Sequence, residues 1–486
     1  MRPQSPNLRR GPATTAIKLR SARALALALP LLASIALPGL ARAQAGAIPG
    51  VWPAPPGAAQ CQGQRDAAAS AKVLSLADAL TLAACRSPEL ARTLASIDWQ
   101  RAGLALANAA NHATVSAEAS ASRTRNSAGV GSAGEVVSDR ADNLGLGLAL
   151  RWVVVDFGQR AADQQRAGHE LAAAEAERDA AALAVAAQVL HAYADATLAD
   201  ERATLRGQAH QVSRRNLEAT RRLQAAGVNA APDVLRAEAV VAEQQLAWLR
   251  ARGAARSARA ALAVLLGLPG LDAASLAGSA QWLPAADGRF DVEAWVQRAL
   301  SAHPRLRAGQ ARVQAARANS DAVRAQSRGT VSLAAGLGGS RVAESGNAGQ
   351  VTNVSQRLGL LWSVPLWDGG GQDARSQQAL ARQRMEQAST DELALQIEQA
   401  VRREGQTWLV AREVMAAAET AVSSAQASEA AARQRHAAGV GPLSELLLAQ
   451  QAVVDAQQAR LVSVADWADA QWRLLAVAGW DSGAAR

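Results

Sequence analysis

Beyond its first 43 residues the chain has no run of about 18 consecutive apolar residues, the length a membrane-spanning helix needs. That absence excludes a helical anchor in the body of the chain. Histidine is scarce, and the six present are scattered. There is no H-E-x-x-H, no G-x-S-x-G and no Cys/His spacing of a metal site. "GVGSAG" sets Gly129, Gly131 and Gly134 as G-x-G-x-x-G, but a dinucleotide site needs a buried strand before it and a helix after it. Here "TRNSA" precedes and "EVVSDRADN" follows, and both read as polar external loop. The chain is expected to be no enzyme, with no cofactor and no metal. A basic face is missing too. Seven Arg or Lys and no acid fall within residues 1–43, so of the net +9 the remainder carries only +2. Without a basic face to neutralise phosphates, no nucleic-acid partner is expected.

The basic start reads as a secretory signal. Arg9, Arg10, Lys18, Arg20 and Arg23 precede "ALALALPLLASIALPGL", and "ARAQA" follows with small residues at Ala41, Ala43 and Ala45. The apolar run is short and holds Pro30 and Pro38, which argues against a transmembrane anchor. Export brings the only two cysteines, Cys61 and Cys85, into an oxidising compartment. A disulfide would tie the N-terminal segment to the first helix; two free thiols are the alternative. "GAAQC" lacks the pattern of a lipoprotein site.

What the sequence does contain, it contains twice. "SPEL" at Ser87 recurs as "HPRL" at His303, and "TVS" at Thr114 recurs at Thr330, both offset by 216. "VDFG" at Val155 matches "WDGG" at Trp367, and "AAGV" at Ala225 recurs at Ala437, both offset by 212. "LAVLLG" ending at Gly267 aligns with "LLAVAG" ending at Gly479, again at 212. One change of offset marks one surface loop of altered length. Five ordered matches at two consistent offsets mean duplication.

Each half starts with a short helix (Leu76 to Cys85; Val292 to Ala302), and a Pro then opens a second helix of about two dozen residues. A strand pair, a long helix, a turn at Ala-Ala-Gly-Val and a helix of about 30 residues follow. Residues 159–223 contain no Pro and would span roughly 98 Å as helix. Val401, Trp408, Met415 and Val422 recur every seven residues, as do Leu198, Leu205 and Val212. Heptad spacing means helices packed lengthwise.

The strands alternate. Leu144, Leu146, Leu148, Leu150, Trp152 and Val154 are interleaved with Gly145, Gly147, Ala149 and Arg151. Val115, Ala117, Ala119 and Ala121 alternate with Ser116, Glu118, Ser120 and Ser122. Val331, Leu333, Ala335 and Leu337 form a third row, and Leu358, Leu360, Trp362, Val364 and Leu366 a fourth. Each is about ten residues long, the length that crosses a bilayer when tilted. Four strands do not close a barrel, and open edges in lipid leave backbone groups unsatisfied. The chain is therefore expected to oligomerise, and a wide lumen favours three copies. Aromatics are few (one Tyr, two Phe), so Trp152, Trp362 and Trp367 would mark the membrane boundaries.

"VVVDFGQR", "VPLWDGG", "AAGVNAAPDVLRAEA" and "AAGVGPLSELLLAQQ", within the duplicated unit, make the chain resemble the TolC-like outer-membrane efflux and secretion channels. The resemblance implies an α+β membrane protein. It would be a homotrimer whose twelve strands form one β-barrel, continued by a long periplasmic α-helical barrel. Leu144, Leu146, Leu148, Leu150, Trp152, Leu358, Leu360 and Trp362 would face outer-membrane lipid. Gly227, Val228, Gly439 and Val440 would be the tips that meet a periplasmic adaptor. Glu445 and Asp233 would form the periplasmic gate, with Leu448 and Arg236 where relatives carry a second acid. An inner-membrane pump of RND or ABC type would supply the cargo, either drug or metal for efflux or protein for type I secretion. The alternative is a periplasmic coiled-coil adaptor or structural protein without a channel. The expected organisation is a signal peptide (1–43), an N-terminal extension (44–74) and a first repeat (75–270; strands about 114–123 and 143–157). A linker (271–289), a second repeat (290–480; strands about 330–341 and 354–368) and a tail (481–486) follow.

Overall fold

The computed structural model describes residues 73–130, 135–227, 230–268, 275–276, 291–344 and 350–479. The signal peptide, Cys61, Val228, the tail and nearly all of the extension and linker lie outside the described residues.

The first repeat runs α1 (Leu76–Arg86), α2 (Pro88–Ala109), β2 (Thr114–Val130), β3 (Glu135–Val155), α3 (Gln159–Ala225) and α4 (Ala231–Leu266). The second runs α5 (Val292–Ala302), α6 (Pro304–Gln326), β5 (Thr330–Glu344), β6 (Gln350–Ser363), α7 (Gly371–Ala437) and α8 (Leu443–Val477). A parallel pair of two-residue strands, β1 (Val73–Leu74) and β4 (Ser275–Leu276), joins what precedes each repeat. Local signals set the helix starts. Ser75 and Asp78 form a reciprocal capping box on α1, and Pro opens α2 and α6.

α3 and α7 have 67 residues each, about 100 Å of helix. α3 pairs lengthwise with α4, α7 with α8, and α6 packs against both α3 and α7. Much of the buried surface is alanine, which favours helix and lets backbones approach closely. The heptad rows form the seams: Val401 and Trp408 are buried, Met415 packs beside them, and Leu198 is buried. One core gathers Leu82, Val189, Tyr193, Leu198, Leu262 and Leu266. Its counterpart gathers Val296, Ile397, Val401 and Leu474. The single tyrosine, fully buried, donates its hydroxyl to the Leu74 carbonyl at 2.8 Å and so pins the start of the first repeat. α3 has one 18-residue window apolar enough to cross a membrane, but 61% of it is buried inside the protein. That window serves the core.

The four long strands form one antiparallel sheet in the order β2-β3-β5-β6. The expectation of polar loops at "TRNSA" and "EVVSDRADN" is corrected. The ladder continues through both, pairing Ser122 with Asn143 and on to Val130 with Glu135. Polar residues on both faces erase the alternation that marks a strand in sequence, while the backbone hydrogen bonds of the hairpin persist. β6 ends at Ser363 rather than at 368, because Pro365 has no N–H to give the ladder. β3 ends at Val155, where Asp156 turns the chain into α3.

Candidate functional site

The register sorts the sheet into two chemically different faces. Leu144, Leu146, Leu148 and Leu150 stand opposite Ala121, Ala119, Ala117 and Val115 on one side. On the other side stand Arg341, Gly339, Leu337 and Ala335, and Leu358 and Leu360 continue the rows from β6. Opposed residues share a face, so this is one apolar wall. It is open to the surroundings: Leu146 is 71% exposed, Leu358 78% and Trp362 67%. The opposite face carries Ser116, Glu118, Ser120, Gly145, Gly147, Arg151, Gly336, Gly338, Ser355 and Arg357. Gly145 sits closely against its cross-strand partner, since a Cβ on it would lie 2.7 Å from Ser120 Oγ and the hydroxyl would have to turn away. An apolar outside and a small, polar inside is the wall of a lipid-embedded pore.

At the strand exits aromatic rings gather. Trp152 donates its indole N–H to the Asn111 carbonyl at 3.0 Å and leaves its ring exposed. Trp362, Trp367 and Phe157 are exposed nearby in sequence, the amphipathic arrangement of a membrane boundary. Asp156 organises the first exit. It accepts the backbone N–H of Arg160 at 2.9 Å, its Nε at 2.6 Å and the N–H of Gly158 at 3.2 Å. Burial pushes this carboxyl up, but the Arg160 and Gly158 hydrogen bonds prevail and hold it below the usual carboxylate range.

At the far ends of α3 and α7 the two Ala-Ala-Gly-Val turns close helical hairpins. Gly227 and Gly439 adopt φ of 74° and 77°. In the second turn, the N–H groups of Gly439 and Val440 return to the carbonyls of His436 and Arg435. This is a Schellman cap that only a residue tolerant of positive φ completes cheaply. It leaves Val440 exposed at the tip, with Leu448 exposed one turn into α8.

Asp233 and Glu445 occupy matching positions in the first turns of α4 and α8. Both have cationic partners: Asp233 lies 3.5 Å from Arg236, and Glu445 pairs across the turn with Arg435. Sequence reading missed the Arg435 pairing, because ten residues and a turn separate the partners. It also missed the amides that tie the hairpins together. Asn216 donates to Gln450 at 2.6 Å, and the buried Gln244 donates to Gln451 at 2.9 Å. Beside them lies a cavity of about 250 Å³ lined by Val212, Val240, Gln244, Leu447 and Gln450. Nothing in the sequence sets these amides apart, for the partners lie more than 200 residues apart and are brought together by the fold alone. Of the two cysteines, Cys85 in α1 is disulfide-bonded, and Cys61 lies outside the described residues.

The comparisons with known proteins converge with this geometry. The family described as "Outer membrane efflux protein" matches residues 79–268 and 295–480, one segment in each repeat. Protein CyaE of Bordetella pertussis is 32% identical over 482 residues, 95% of this chain and 96% of its own. The outer membrane protein VceC of Vibrio cholerae has the same fold, with a TM-score of 0.68 at 22% identity over 83% of this chain and 96% of that one. The open-state MtrE outer membrane channel of Neisseria gonorrhoeae gives 0.66 at 20%, over 83% and 89%. The reading as a channel-less adaptor is set aside. The chain belongs to the outer membrane efflux protein family, a channel and no enzyme, with its sheet in the outer membrane and its long helices on the periplasmic side.

Proposed function

We propose that three copies of this chain assemble into one exit duct, with the narrow end at the hairpin tips served by a periplasmic adaptor and an inner-membrane pump. The observation that carries this reading is the pair of unpaired edges, β2 and β6, at the two ends of a four-stranded sheet. A lipid-embedded edge leaves each N–H and C=O unsatisfied at several kcal/mol. Pairing β2 of one protomer with β6 of the next removes every edge, and three copies give twelve strands around an open lumen. The duct passes cargo and transforms nothing. The pump therefore selects the cargo, whether drug, metal or protein.

Gly227, Gly439 and Val440 present the adaptor-facing tips in this reading, and Asp233 and Glu445 line the constriction. Because each acid is balanced by an arginine, the ring focuses cations weakly. Widening it requires the Asn216–Gln450 and Gln244–Gln451 amide contacts to part. The test is the mass of the detergent-extracted protein by light scattering, corrected for bound detergent. Three chains are expected. A stable monomer that needs no detergent would overturn the assembly.

A further inference from the structure

The lipid-side face of the sheet does not end with its leucines. Leu144 stands opposite Ala121 on β2 and Arg341 on β5, so Arg341 belongs to the apolar face. Arg123 lies two residues past Ala121 and Asp142 two before Leu144, which returns both to that face. Their ion pair agrees, with Arg123 Nε and Nη2 at 2.5 and 2.7 Å from the Asp142 oxygens. Arg125 follows two residues further along the same side. All three arginines are exposed. Glu118 lies on the opposite face, so Asp142 is the acid that tempers this patch among the described side chains.

The height of the patch locates it. From Val154 to Leu144 the exposed apolar row runs ten residues, about 33 Å along the strand and about 25 Å across a bilayer at the usual barrel tilt. That is the thickness of an outer-membrane apolar band. Trp152 and Trp362 mark its end near the helices. The arginines mark the other end, at the headgroup level of the outer leaflet. A guanidinium there lays its stem on the apolar row and offers a planar fork that fits phosphate oxygens.

We propose that Arg123, Arg125 and Arg341 form a collar, repeated on each protomer, that binds the phosphate groups of anionic lipids in the outer leaflet. It rests on the bilayer placement of the sheet. Asp142 orients Arg123 and leaves the patch with a net charge of about +2, counting its three arginines against one acid.

Native mass spectrometry of the detergent-extracted protein, titrated with phosphatidic acid and with phosphatidylcholine, tests this. The wild type is expected to retain phosphatidic acid preferentially, and R123Q/R125Q/R341Q to lose about fivefold in affinity per arginine removed. R123K/R125K/R341K, which keeps the charge, is expected to retain most of the preference and serves as the folding control. Equal retention by the wild type and the glutamine variant would overturn the collar. Displacement of phosphatidic acid by millimolar inorganic phosphate would reassign the arginines to free phosphate and overturn the lipid. A protein that prefers neither lipid but needs detergent would lose the collar and keep the bilayer. One that needs no detergent would lose both.

Discussion

Helices α2 and α6 hold equivalent places in the two repeats, yet eleven residues of α6 are buried and only two of α2. Trp99 and Leu106 of α2 are 71% and 74% exposed, whereas their counterparts Ala315 and Ala322 in α6 are buried. The long helices repeat the contrast, with Ala173 of α3 buried and its counterpart Met385 of α7 exposed. α6 lies between α3 and α7, while α2 packs on α3 and lacks a matching neighbour on its other side. In the proposed three-chain assembly, the neighbour that α2 lacks would be supplied by α7 of the next protomer. On that proposal, the asymmetry between repeats is the mark of the surface that a second copy covers.

Breaking that surface should have the largest effect. Trp99→Asp with Leu106→Asp is expected to replace the three-chain species by monomers in light scattering, while helical circular dichroism persists. Each buried large apolar side chain contributes about 2 to 3 kcal/mol, and a carboxylate in its place adds a desolvation cost. The matching pair Ala315→Asp with Ala322→Asp should instead unfold the protomer. Equal outcomes for the two pairs would end the distinction between α2 and α6.

The second contrast lies one residue before each of these helices. Ser87 caps α2 with its hydroxyl; His303 caps α6 with Nδ1, which accepts the Arg305 N–H at 3.1 Å. Burial, with Arg305 and Arg307 adding to it, lowers the His303 pKa from 6.5 to about 4. The folded protein therefore holds this imidazole neutral where the unfolded chain protonates it. Stability from this site is full above pH 6.5 and is lost as the pH falls toward 4, by roughly 2 kcal/mol at pH 5. His303→Asn keeps a cap without the titration. Its melting temperature should fall less than the wild type's between pH 7 and pH 5, and parallel curves would show that His303 does not carry the acid loss.

A third contrast concerns the strand exits. Phe157 adopts φ of 55°, a left-handed backbone that its counterpart Gly369 adopts, at 70°, without strain. An L-residue pays about 1 to 2 kcal/mol there. Phe157→Gly should raise stability by about 1 kcal/mol in a detergent melt, and Gly369→Phe should lower it by a similar amount. Phe157 is 42% exposed, which limits the packing lost with its ring.

The duplication made most of this fold legible. Two offsets placed both strand pairs, both strand-to-helix exits and both helical turns before any contact was known, and the two-residue period gave the apolar face of the sheet. Legibility failed where chemistry stopped alternating. The outer ends of β2 and β3 are polar on both faces, so nothing in residues 124–142 distinguishes a paired hairpin from a loop until the ladder is seen. It failed again where partners are brought together by the fold alone. Asn216 and Gln450 sit 234 residues apart, and neither looks different from any other amide on a long helix. The exposure of Trp99 was equally silent, since tryptophan on a helix ordinarily reads as core.

The smallest effect expected is at the tips, where the two repeats differ in how an acid is balanced. Asp233 meets Arg236 within one helix, whereas Glu445 meets Arg435 across the turn. Both pairs are solvated, so either contributes no more than about 1 kcal/mol to stability. In the proposed duct their value would lie in the field at the constriction. Glu445→Gln leaves Arg435 unbalanced and should shift the reversal potential in a planar bilayer toward anions. Arg435→Gln leaves the acid unbalanced and should shift it toward cations. Salt screens charges beyond roughly 10 Å at 0.1 M, so both shifts should shrink as ionic strength rises. The double variant should return to the wild-type value. If neither single variant moves the reversal potential, these residues do not line the narrowest point, and Glu445 is left as an acid that complements the start of its helix.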